Sequence, residues 1–134
     1  MILNTYPRIA ITGYPKVGKT EISELITDRL VYHVDEHKGN EEGLRQRLNN
    51  DTFFAVEGTS NLMKMLRAGL DVDLVLYVSP QFSAWPQHKA QRKACDTIWQ
   101  GYLDKLKNEE KKPRIMKLNK DAASLFIELE KAIM

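Results

Sequence analysis

The sequence predicts a doubly wound α/β domain on a five-stranded parallel sheet, and three observations carry that prediction. Apolar strand-like runs alternate with segments of helical spacing along the whole chain. The strand runs are continuously apolar, as interior strands covered on both faces require. Glycine and proline signals separate the segments, with no repeat, low-complexity tract or long linker.

The first strand is expected at Arg8-Ile9-Ala10-Ile11-Thr12, followed by a glycine-containing turn and a helix marked by Ile22, Leu25, Ile26 and Leu30. Val31-Tyr32-His33-Val34-Asp35 reads as the second strand. Lys38-Gly39-Asn40 then turns the chain into a short helix carrying Leu44 and Leu48. A third strand, Phe53-Phe54-Ala55-Val56, ends at Glu57-Gly58, and the helix after it presents Leu62, Met65 and Leu66 before stopping near Gly69. Leu74-Val75-Leu76-Tyr77-Val78 is the clearest strand. Helical spacing resumes at Ala94, Ile98, Tyr102 and Leu106, with Cys95, Trp99 and Leu103 widening the apolar face. Pro113 precedes a fifth strand, Arg114-Ile115-Met116-Lys117-Leu118. A last helix is expected with Asn119 or Asp121 as its cap and Leu125, Leu129, Ala132 and Ile133 inward. In such sheets ligands bind at the strand carboxyl ends, where this order brings Thr12, Asp35, Glu57 and Ser79.

The 134 residues suit one domain, residues 1–134, burying roughly two thirds of the unfolded surface. No apolar run approaches the ~20 residues of a membrane span. The opening Met1 to Arg8 lacks the basic and apolar regions of a secretory signal, so a cytoplasmic location is expected. Cys95 is the only cysteine, which excludes an internal disulfide and a multi-cysteine zinc site and reads as a buried small residue. The net charge of +2 comes from 20 basic and 18 acidic residues that are intermixed, with no basic tract for a nucleic-acid backbone. His33, His37 and His88 lack the companions and helical spacing of a metal cluster, and Ser60 and Ser79 lack a nucleophile motif.

Gly13-Tyr14-Pro15-Lys16-Val17-Gly18-Lys19-Thr20 matches the phosphate-binding pattern G-x-x-x-x-G-K-[ST] in full, between a strand and a helix as the chemistry requires. Gly13 and Gly18 let consecutive amides turn inward, and the helix that follows adds unpaired amides and the positive end of its dipole. Lys19 is expected to reach the β and γ phosphates of a nucleoside triphosphate, and the Thr20 hydroxyl to coordinate a bridging magnesium ion. Lys16 reads as a solvated charge within the loop.

On this loop, on Val34-Asp35-Glu36 after strand two, on Val56-Glu57-Gly58 after strand three, and on Leu66-Arg67-Ala68-Gly69-Leu70 leading into Asp73 to Val78, the chain resembles the P-loop nucleoside and nucleotide kinases, including the small shikimate and gluconate kinases. The resemblance implies a three-layer P-loop fold of strand order 2-3-1-4-5 that binds ATP, or another nucleoside triphosphate, with Mg2+. It implies that Asp35 contacts the phosphoryl acceptor or acts as base, and that Glu57 binds magnesium through water or positions the nucleophile. The alternative is that each acid caps a loop or helix, and Glu36 is the fallback for either role. Gln81 to Lys93 takes the place of the family's lid, with Arg92 as its one arginine. Arg67 is a candidate toward the acceptor or a solvated helix residue. Asn119-Lys120-Asp121 is similar to the guanine-reading N-K-x-D motif but has its aspartate one position early.

The expected function is an ATP-dependent phosphotransferase acting on a small hydroxyl- or phosphate-bearing acceptor, such as a nucleoside or nucleotide. Residues 36 to 52 leave little room for a large acceptor-binding insertion, which favours a small acceptor or one completed by another chain. The alternative is an ATPase or switch working through a protein partner. A third reading is a non-catalytic module stabilised by its nucleotide.

Overall fold

The computed structural model describes residues 5–14, 19–78 and 89–118. Among these the order is β1 (Arg8–Gly13), α1 (Lys19–Glu24), β2 (Val31–His33), a 3-10 turn (Val34–His37), α2 (Glu41–Asn49), β3 (Phe54–Glu57), α3 (Ser60–Arg67), β4 (Leu74–Val78), α4 (Lys89–Leu106) and β5 (Arg114–Leu118). All four strand pairings are parallel, in the order β2-β3-β1-β4-β5. This is the expected α/β class and strand order. Pro15 to Gly18, Ser79, Gln81 to His88 and the expected last helix with Leu125, Leu129, Ala132 and Ile133 lie outside the described residues.

Period-two alternation divides the sheet into two faces. Ile9, Ile11, Ala55, Leu74, Leu76 and Val78 pack with Ile22 and Ile26 beside α1, together with Met116. Ala10, Phe54, Val56, Val75 and Tyr77 pack on the other face against Leu44 and Leu48 of α2, four residues of α3, and Cys95, Trp99, Tyr102 and Leu106 of α4. The centre of the α4 face is therefore Cys95-Trp99-Tyr102-Leu106. Ala94, expected inward, is exposed, and Ile98 and Leu103 are half-buried. No helix of the described residues is long and apolar enough to cross a membrane.

Several element ends differ from expectation for identifiable reasons. β2 stops at His33, whose ladder partner Glu57 is the last residue of β3. Beyond it Gly58 still donates its N–H to Ile11 O of β1 at 3.1 Å, but the β2–β3 register goes no further than His33. Val34 and Asp35 instead enter the 3-10 turn, with Val34 buried and Asp35 exposed.

α1 ends at Glu24, closed by bonds from Leu25 N to Ile22 O and Ile26 N to Ser23 O. Leu30, expected on its apolar stripe, is 67% exposed. Its carbonyl accepts Ala55 N–H while the neighbouring Arg29 guanidinium donates to Tyr6 O and Pro7 O, an extended approach to β2 that no helix can provide. Phe53 precedes β3 rather than beginning it, with the Arg29 guanidinium 4.3 Å from its ring centroid. The stop at Gly69 is as read: at φ +111° it lets Gly69 N–H reach Leu66 O and Leu70 N–H reach Met65 O, closing α3.

Candidate functional site

The direction of the chain at the sheet centre defines a crevice. From β1 the chain runs through α1 on one face toward β2; from β3 it runs through α3 on the other face toward β4. The switch point lies between the carboxyl ends of β1 and β3, where open parallel sheets bind ligands. Gly13, Lys19 and Glu57 belong to that place.

Gly13 ends β1 at φ +145°, in the region that favours glycine. A Cβ there would sit 1.9 Å from Val78 O, and Tyr14 N donates to that same carbonyl at 3.1 Å. The motif glycine thus lets the chain pass against the end of β4 as it turns toward α1. Thr12, fully buried, donates its hydroxyl to Thr59 O at 3.1 Å and ties the loop's entry to the start of α3. Lys19 is only 6% exposed and its Nζ donates to Tyr14 O, so the ammonium is drawn back over its own loop. Thr20, next along α1, is exposed; its carbonyl accepts the Ser23 hydroxyl at 2.6 Å.

Glu57 lies in register with Ile11 of β1 and His33 of β2. Alternation from Ala55 places Glu57 on the α1 face, and α1 packs on both β1 and β3. Its side chain is 12% exposed, and Oε1 is 2.8 Å from His33 Nδ1. The other carboxylate oxygen makes no hydrogen bond among the described residues. Among the described residues the Glu57 carboxylate bonds an imidazole and no backbone N–H of α3.

Asp35, expected at the end of strand two, sits instead in the exposed 3-10 turn, and its carboxylate makes no hydrogen bond or ion pair among the described residues. Glu36 is exposed in the same turn. Position 92 falls within α4, and the Arg92 side chain lies outside the described residues. Arg67 is on the surface, its guanidinium against Gly101 of α4 and its carbonyl accepting Lys105 Nζ at 2.9 Å.

Two features escaped the sequence reading. His33 was set aside for want of metal-site companions, yet two strand-end residues on neighbouring parallel strands meet by register, and that was the signal available. The Tyr14 hydroxyl donates to Asp96 of α4, and its ring begins an aromatic series through Tyr77 at 6.2 Å and Trp99 stacked on Tyr77 at 4.3 Å. Nothing in sequence joins Tyr14 to residues so distant. Burial raises the Tyr77 hydroxyl above its usual range and brings Tyr102 to about 12, so both remain protonated phenols. Burial also raises the Cys95 thiol, which the Lys19 ammonium only partly offsets, leaving Cys95 an inert core residue.

Among the described residues no group of three or more His, Cys, Asp or Glu side chains can hold a metal ion. Magnesium at a phosphate site needs no such cage, because it takes most of its oxygens from phosphates and water. One hydroxyl and one carboxylate, Thr20 and Glu57, fit that chemistry. Comparison with known proteins finds no family model that matches this chain and no curated protein that matches its sequence.

Proposed function

We propose that the chain is a P-loop, ATP-dependent phosphotransferase acting on a small hydroxyl- or phosphate-bearing acceptor. The observation that carries this reading is that Gly13 closes β1 and Lys19 and Thr20 open α1, the two ends of the octapeptide motif, at the switch point and beside a carboxylate ending β3. A helix start and a glycine-bent loop there supply donors for phosphate oxygens. Lys19 exchanges the Tyr14 carbonyl for the β and γ phosphates, replacing a neutral acceptor by an anionic one. Thr20 and Glu57 would hold magnesium, directly or through water; the ion, when bound, offsets charge on the phosphates. Glu57 is also the carboxylate of this reading that would accept a proton from an acceptor hydroxyl within hydrogen-bond reach. Asp35, exposed beside the crevice strands, is free to meet the acceptor, and Arg92 is the lid cation of this reading.

A second reading, an ATPase or switch that works through a protein partner, is favoured by one observation. Asp35 stands in an exposed 3-10 turn with no hydrogen bond or ion pair among the described residues, so the acceptor end of the phosphotransferase reading has less support than its phosphate end.

Incubation with γ-labelled ATP, magnesium and a panel of nucleosides, nucleoside monophosphates and small hydroxy acids separates the two. Acceptor-dependent label transfer is expected, falling on the order of a hundredfold to a thousandfold in Lys19→Ala. Release of free phosphate alone, indifferent to every acceptor, would put the switch reading first.

A further inference from the structure

β2 and β3 end together, His33 against Glu57, with both side chains on the α1 face. The 2.8 Å contact uses one imidazole nitrogen and one carboxylate oxygen. A carboxylate can only accept, so Nδ1 carries the proton and donates it to Oε1. The histidine side chain is 32% exposed and the glutamate 12%, so the pair sits at the mouth of the crevice with the carboxylate the deeper member.

The choice of donor has a chemical consequence. A lysine or arginine at position 33 would neutralise Glu57 and compete with a cation for it. An imidazole fixes the carboxylate plane with a single N–H and leaves the second oxygen available. Carboxylates that bind metal, or metal-bound water, are oriented by outer partners of this kind.

We propose that His33 is a positioning residue: its Nδ1–H holds the Glu57 carboxylate so that Oε2 faces the metal-bound water or acceptor hydroxyl. This rests on the phosphotransferase reading above, and the assignment concerns His33 alone. His33→Ala frees the carboxylate to rotate, raising the magnesium concentration needed for tight ATP binding about tenfold to a hundredfold, with ATP affinity in the absence of magnesium unchanged. Because the bond uses Nδ1, the nitrogen nearer the backbone, the short amide of His33→Asn restores it in part and the longer amide of His33→Gln does not.

Two measurements test the assignment. Long-range proton–nitrogen NMR spectra of the metal-free protein are expected to place the His33 proton on Nδ1, and Glu57→Ala to remove that preference. Calorimetric titration of ATP at stepped magnesium then compares wild type with the three His33 variants, each checked for folding by circular dichroism. If His33→Ala does not fold, the Asn and Gln variants, both polar and closer in size, carry the comparison. An unchanged magnesium dependence in the folded variants, or a proton on Nε2, overturns the role. A wild-type protein with the Nδ1 proton that binds no magnesium–ATP overturns the phosphotransferase reading itself, and the positioning role with it.

Discussion

The two ends of the sheet use charged and polar groups in opposite ways. At the amino end, Asp73 accepts Arg8 N and Nε at Oδ2 and Arg8 Nη2 at Oδ1, over 2.9 to 3.1 Å. Its main chain bonds Arg8 again and Arg114 as well: Asp73 N donates to Arg8 O and Arg114 N to Asp73 O. One aspartate thereby sets the start of β1, β4 and β5. Asn49 adds a clamp from α2, donating to Gly69 O and accepting Asp71 N–H. At the carboxyl end the frame is mostly main chain, through Gly13, Tyr14 N and Val78 O, and Gly58 N with Ile11 O, with the buried Thr12 hydroxyl on Thr59 O added to it. The side chains there keep coordinating capacity: Glu57 has one oxygen engaged, and the Thr20 hydroxyl makes no bond among the described residues. Charge at one end is satisfied internally and fixes register; at the other Glu57 keeps one carboxylate oxygen without a hydrogen bond among the described residues.

The comparison breaks most severely at Gly13. Gly13→Ala puts a Cβ onto Val78 O and demands φ +145° of a residue that rarely adopts it. A loss of about 3 kcal/mol or more is expected, since neither backbone can yield without opening the β1–β4 ladder. Urea unfolding followed by circular dichroism measures it, and a loss under about 1 kcal/mol would mean that the loop can relax away from β4.

Asp73→Asn tests the amino end at intermediate size. The amide keeps the shape but loses the charge-assisted bonds to Arg8, for an expected cost of about 1–2 kcal/mol near neutral pH. The sign of its pH dependence follows from the pairing. Hydrogen bonds from Arg8 hold the Asp73 carboxyl below its usual value in the folded chain, so the stabilisation is fully present above the unfolded carboxyl range near pH 4. It disappears as pH falls through the lower folded value. Wild type and Asp73→Asn should therefore converge in stability on acidification; a gap that persists at pH 2 would assign the effect to packing instead.

How much of this was legible in sequence depends on whether a residue's fate was set locally. β4 was clear because burial on both faces demands an apolar run, and Gly69 was clear because a helix stop needs its φ. Gly13 was legible through its motif, although the carbonyl it must clear belongs to β4. The lengths of β2 and α1 were not legible. β2 ends where β3 ends, and α1 gives way to a segment that Arg29 fastens to Tyr6 and Pro7. The same limit moved Asp35 off its strand and hid the His33–Glu57 pair, which exists only once two strands share a register.

The smallest effect is expected at Tyr14, a side chain at the ligand end whose partner is another side chain. Tyr14→Phe keeps the edge contact with Tyr77 and removes the hydroxyl, with its bond to Asp96, which is exposed and can turn to water, and its hydrogen bond with the Tyr77 hydroxyl. Its cost should be about 0.5–1 kcal/mol, at or below that of Asp73→Asn, because Asp96 turns to water and the bond with Tyr77 joins two neutral phenols. The same unfolding series decides the matter. If Tyr14→Phe costs about 2 kcal/mol or more, the bond between Tyr14 and α4 is part of the frame, and the division between the two ends of the sheet fails at this residue. If it costs little in stability while changing ATP affinity, Tyr14 acts on the conformation of the loop rather than on the fold, which is the behaviour the carboxyl end should show.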